Sequence, residues 1–118
     1  MEFVIYHNPR CSKSRQTLSL LESKYVQIRV ELYLKNPLSE RNIKILLEKL
    51  DIHARDLIRK NEEEFKNSGL TLSSNEQALV SAMAKNPKII ERPIVVRGDR
   101  AVIGRPPEKV LELIENED

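Results

Sequence analysis

The chain has one cysteine, two histidines, three glycines and no tryptophan among its 118 residues. Each scarcity closes off a class of function. A single cysteine cannot form an internal disulfide. With only two histidines beside it, zinc sites of the usual cysteine and histidine types are excluded. The three glycines never fall into G-x-x-x-x-G-K-[ST] or G-x-G-x-x-G, so a nucleotide-binding fingerprint is absent. Aromatic residues make up 4%, which argues against a base-stacking nucleic-acid surface. No apolar run approaches the roughly 20 residues of a membrane span. The opening "MEFVIYHNPR" has neither the basic start nor the apolar length of a secretory signal. Neither sign of charge prevails: 20 basic and 18 acidic residues leave a net +2, so only a local cluster could specify a partner. The expectation is one soluble domain over residues 1–118, placed in the reducing cytoplasm, where a lone thiol stays free.

What is present is periodic. "FVIY", residues 3–6, reads as a buried strand, and "NP" then breaks the chain. From Ser12 to about Lys24 the spacing of Leu18, Leu21 and Tyr25 predicts a helix. "VQIRVELYL" alternates Val26, Ile28, Val30 and Leu32 as a half-buried strand. Strand, helix, strand predicts two parallel strands with a right-handed crossover. Residues 39–86 read as a helical block. Ser39 is a candidate N-cap for a helix with Ile43, Leu46, Leu47 and Leu50 on its apolar face. One or two short helices end near Gly69, and a further helix turns Leu79, Val80 and Met83 inward. "PIVVRGDRAVIG" is a hairpin turning at Gly98-Asp99, so its Arg97-Gly98-Asp99 tripeptide is a turn and not an adhesion signal. "RPPEKVLELIEN" opens on prolines and continues as an amphipathic helix through Val110, Leu111 and Ile114. His53 and the run "NEEEF" read as solvated surface. The order βαβ, helical block, ββα suits a single mixed sheet flanked by helices.

The lone cysteine stands in "YHNPRCSKSR", where the first strand gives way to the first helix, with Arg10, Lys13 and Arg15 close by. Two readings are open on these residues. Free cysteine is among the most buried residue types and often acts as a small hydrophobe. A thiol at a helix N-terminus beside cations is instead acidified, and the same place favours a bound oxyanion. "CSKS" stands where a C-x-x-C pair would be, so any disulfide or covalent adduct on Cys11 must be broken by an external thiol. Each arginine taken alone reads as a solvated cation. Arg105 stands out because it directly precedes Pro106-Pro107 and a helix start.

"YHNPRCSKSRQTL" together with "RPIVVRGDRAVIGRPPEKVLELI" resembles the arsenate reductases of the glutaredoxin-linked class. The motifs are N-P-x-C after the first strand, R-P-I before the hairpin and G-R-P-P before the last helix, and the resemblance spans nearly the whole chain. It implies an α/β, thioredoxin-like mixed sheet with a helical insertion at about 39–86. It implies Cys11 as nucleophile, His7 as a residue that helps lower the thiol pKa, and Arg59, Arg92 and Arg105 as oxyanion ligands. Asn8, Ser14, Arg15 and Pro93 fall in supporting positions, with Arg92–Pro93 expected cis and facing the nucleophile. Guanidinium forks suit arsenate because they bind compact oxyanions bidentately. The implied reaction takes arsenate to arsenite, with glutathione as co-substrate and glutaredoxin as partner. No tightly bound cofactor, metal, nucleic acid or membrane is implied. Ser12 departs from the glycine of several relatives. The alternatives are a family member reducing another thiol-linked substrate, or a redox regulator binding RNA polymerase. The regulators often carry C-x-x-C, which Ser14 interrupts here.

Overall fold

The computed structural model describes residues 2–24 and 26–115. Tyr25 and Asn116, which the sequence assigns to the first and last helices, lie outside them. The chain forms two compact units, Met1–Tyr33 with Arg92–Asp118, and Leu34–Glu91.

The first unit carries a four-stranded mixed sheet. Its strands are β1 (Glu2–Tyr6), β2 (Gln27–Glu31), β3 (Ile94–Arg97) and β4 (Arg100–Ile103), in the order β2-β1-β3-β4. β1 runs parallel to β2 and antiparallel to β3, and β3 pairs antiparallel with β4. The crossover between β1 and β2 is helix α1 (Ser12–Ser23). Phe3 and Ile5 of β1 alternate inward and meet Leu21 of α1, Val95 of β3, and Val110 and Leu113 near the C-terminus. β3 is buried at Ile94, Val95 and Val96, as the centre of a sheet requires. Gly98 takes φ 62°, the left-handed value of a two-residue hairpin turn that begins with glycine.

Three expectations are corrected. β2 is an edge strand that ends at Glu31, so Val30 is exposed and Leu32 lies beyond it. α1 buries Ser14, Thr17 and Leu21, while Leu18 is only half-buried. The last element opens as a 3-10 turn, Pro107–Val110, before the short helix α5 (Leu111–Glu115). Val110 and Leu113 are its buried residues; Leu111 and Ile114 are half-buried. Val110 and Leu113 stand three residues apart on one helical face, which turns Leu111 partly aside.

The second unit is helical: α2 (Glu40–Leu50), a 3-10 turn (Ala54–Asp56), α3 (Glu63–Lys66), α4 (Glu76–Lys85) and a 3-10 turn (Pro87–Ile89). Ser39 caps α2, its hydroxyl accepting the Asn42 N–H at 3.1 Å, and Asn75 caps α4 through Ala78 at 2.8 Å. Ile43, Leu46 and Leu47 of α2 and Leu79, Val80 and Met83 of α4 are buried. His53 is exposed and joins Asp56 in a reciprocal cap of the first 3-10 turn. "NEEEF" departs from a plain solvated face, because Phe65 is buried and Glu62 pairs with Arg59.

Candidate active site

The turn after β1 is held by its own hydrogen bonds. The His7 N–H donates to the Glu31 carbonyl at 2.9 Å, which aligns the start of the turn with the end of β2. The Asn8 carbonyl accepts the Cys11 N–H, and its side-chain oxygen accepts the Arg10 N–H, both at 3.0 Å. Arg15 reaches back to the Pro9 carbonyl at 2.9 Å. These contacts leave Cys11 extended (φ −94°, ψ 122°) as the N-cap of α1, with its side chain half-buried. Asn8 and Arg15, placed in support by the motif, thus act on the loop and not on the sulfur.

Cys11 meets two arginines from the other end of the chain. Arg105 Nη1 lies 3.8 Å from the sulfur and donates to the Arg92 carbonyl at 3.0 Å. The Arg92 guanidinium also faces the thiol. Arg92–Pro93 is cis, as the resemblance implies, and Arg105–Pro106 is cis as well. Burial pushes the Cys11 thiol up, but the Ser14 N–H, the Arg92 and Arg105 guanidinium groups and the Lys13 N–H outweigh it, so the net direction is down. The sulfur forms no cap hydrogen bond of good geometry with the first turn. Its tie to the Ser14 and Lys13 N–H groups is therefore an electrostatic attraction, which adds to the downward direction. The cations flanking Cys11 in sequence do less than their proximity suggests. Arg10 is exposed, Arg15 is turned to Pro9, and Lys13 contributes through its backbone.

His7 is buried, and its Nδ1 lies 2.6 Å from the Ser14 hydroxyl, which also accepts the Asn8 N–H at 3.0 Å. Burial pushes the imidazole below its ordinary value, Arg15 adds to that, and Glu22 opposes it. His7 is thus a neutral ring at pH 7, joined to the helix through Ser14. Pro93 is buried, and its carbonyl accepts the Gly104 N–H at 2.9 Å. Arg59 belongs to the second unit, where its guanidinium pairs with Glu91 at 2.8 Å and Glu62 at 3.2 Å. Burial lowers the pKa of Arg59 and the two carboxylates more than compensate. No group of three or more metal-ligating side chains occurs among the described residues. The motifs do not mark Thr17 and Gly104, yet the Gly104 backbone lies close against the Thr17 and Pro93 side chains. The signal available in the sequence was the helical offset that puts Ser14, Thr17 and Leu21 on one face.

A β2-β1-β3-β4 sheet, a thiol where β1 passes into α1, and a cis-proline at the head of β3 define a thioredoxin-like α/β protein whose thiol faces an arginine. The ArsC family matches over residues 6–113, and the chain belongs to that family. It is 45% identical over 116 residues to a protein of Haemophilus influenzae named arsenate reductase, covering 97% of this chain and 100% of that one. It is 51% identical over 112 residues to the uncharacterized protein YfgD of Escherichia coli, covering 93% and 94%. A solved arsenate reductase from Vibrio cholerae superposes with a TM-score of 0.89 at 47% identity, covering 95% of this chain and 97% of the other.

Proposed function

We propose that this protein is an arsenate reductase that works through one nucleophilic cysteine, Cys11, with glutathione and glutaredoxin as reductants. The observation that carries the reading is the Arg105 guanidinium 3.8 Å from the Cys11 sulfur, with Arg92 beside it. Two fixed positive charges at an acidified thiol suit attack on an oxyanion. They stabilise the thiolate before the reaction and offset the repulsion as it approaches a second anion. In the proposed sequence the thiolate attacks arsenic, a sulfur–arsenic bond forms, and hydroxide leaves. Glutathione then attacks the adduct and glutaredoxin resolves the mixed species, so that two external thiols become a disulfide and arsenic leaves as arsenite. Arg92 and Arg105 hold the arsenate oxygens. Arg59 is assigned to the same task on the resemblance alone. His7 supports the thiol through Ser14, and no tightly bound cofactor takes part. A reducing cytoplasm is the compartment that keeps such a thiol free.

The test is arsenate-dependent NADPH oxidation coupled through glutathione, glutathione reductase and glutaredoxin. Turnover in the wild type and none in Cys11→Ser is expected. A wild type with no arsenate-dependent rate, its thiol intact, would remove arsenate as substrate.

A further inference from the structure

Helix α1 buries an unexpected face, with two hydroxyl side chains ahead of Leu21. Ser14 is accounted for by His7 and Asn8. Thr17 is fully buried one turn further on and is not among the groups that act on the sulfur. Its hydroxyl donates to the Lys13 carbonyl at 2.8 Å, with a longer branch to the Gly104 carbonyl at 3.4 Å. A threonine bonding back to the preceding turn is common in helices. The branch to Gly104 is not local, because it joins α1 to the segment that leads into Arg105.

The fit at that junction is close. A β-carbon built at Gly104 would lie 2.6 Å from Thr17 Oγ1, 2.9 Å from Pro93 Cγ and 3.0 Å from Thr17 Cγ2. The backbone at Gly104 has no positive φ that would call for glycine; close approach calls for it. The Gly104 N–H meanwhile donates to the Pro93 carbonyl at 2.9 Å. Thr17 and Pro93 therefore both close on Gly104, and each of the three is tied to a group of the site. Thr17 stands on the helix that Cys11 caps, Pro93 follows Arg92, and Gly104 precedes Arg105.

We propose that Thr17 is a positioning residue: its hydroxyl, shared between the Lys13 and Gly104 carbonyls, holds the Gly104–Arg105 segment at the distance from α1 that lets the Arg105 guanidinium reach the Cys11 sulfur. The inference rests on the reading of Cys11 as the reactive thiol and is independent of arsenate as substrate. At 3.8 Å the Arg105 contact is already long, so a small retreat of the Gly104 segment loses it. A methyl in place of the hydroxyl removes the hydrogen bond that holds the Gly104 carbonyl to α1, and the segment is then free to retreat.

The experiment is a titration of thiolate absorbance against pH in the full chain, with Cys11→Ser as the blank. The single cysteine makes the difference signal unambiguous. Thr17→Val is expected to raise the thiol pKa by about half a unit, a fraction of the roughly 1–3 units that an adjacent opposite charge supplies. Thr17→Ser keeps the hydroxyl and is expected to titrate as the wild type does. Thr17→Ala, which adds no bulk, stands in if the valine variant does not fold, and must also titrate upward. A purely structural role would lower the thermal midpoint of the valine and alanine variants and leave the thiol pKa in place. That result overturns the proposal, as does a serine variant that shifts as far as the valine one. The predicted shift pattern in a protein inactive towards arsenate would sink the reductase reading and support this one.

Discussion

Burial alone would leave Cys11 a poor nucleophile, because desolvation disfavours the charged sulfur; the Ser14 and Lys13 N–H groups and the Arg92 and Arg105 guanidiniums reverse the sign. A thiol held this way should titrate below the free-cysteine value of about 8.5, and Arg105→Ala should move it upward. Alkylation rate against pH reads both, and a wild-type midpoint at the free value would remove the activated thiol. If arsenate is the substrate, the same variant should lose on the order of 10- to 100-fold in kcat/KM, from one charge-assisted hydrogen bond of about 1.5–3 kcal/mol. His7 gives a different pH signature. Its folded pKa is depressed by burial first and Arg15 second, so below the ordinary value the unfolded chain binds more protons than the folded one. Stability is then full above about pH 6.5 and declines as pH falls through that value towards the folded pKa. The urea midpoint of the wild type should fall more between about pH 7.5 and about pH 5.5 than that of His7→Asn, which has no titrating ring. Equal falls in the two proteins would show that the buried imidazole carries no such penalty.

Gly104 shows how an element can be fixed by a residue with no side chain. β4 ends one residue before it, and the close approach of α1 and Pro93 leaves no room for a methyl group. Gly104→Ala should therefore destabilise the protein by about 1–3 kcal/mol, the range of overpacked cores. Chemical denaturation measures it, and an unchanged midpoint would mean that the contact relaxes freely. Elements whose apolar residues follow one period were legible in the sequence: β1, α2 with its Ser39 cap, α4 and the Gly98 hairpin all stand where the pattern puts them. The misreadings have physical causes. Alternation marked β2 as half-buried, but alternation does not tell an edge strand from an inner one, and Val30 is exposed. Apolar spacing along α1 pointed to Leu18, while the face that packs in also carries hydroxyls, which a hydrophobicity pattern counts as outward. In the candidate site, the motifs brought Cys11, Arg92 and Arg105 to notice, and the structure brings these three together. The source of the acidity was not legible, because the neighbours Arg10 and Arg15 point elsewhere and the effective guanidiniums come from residues more than eighty positions on. Thr17 and Gly104 carry no motif, and only the folded backbone makes them neighbours.

Taken as a whole molecule, the chain offers one sulfur nucleophile and no local partner for it, since Ser14 occupies the place of a second cysteine. Reduction of arsenate to arsenite is a two-electron step. A protein with two cysteines can supply both electrons and end as an internal disulfide, but this one cannot. Balanced over a full turn of the proposed mechanism, arsenate and two thiols would give arsenite, one disulfide and water, with Cys11 returned unchanged. Both consumed thiols must therefore come from outside the chain. Arsenite should appear only when an external thiol is present, with two equivalents oxidised for each arsenite released. Protein quenched during turnover should carry its adduct on Cys11, and intact-mass spectrometry should find none on Cys11→Ser. More than half an equivalent of arsenite per chain, released from the protein and arsenate without added thiol, would contradict a single-thiol mechanism, because each chain holds one thiol and each arsenite consumes two. Arsenite formed by the serine variant at the wild-type rate would remove Cys11 from the reaction altogether.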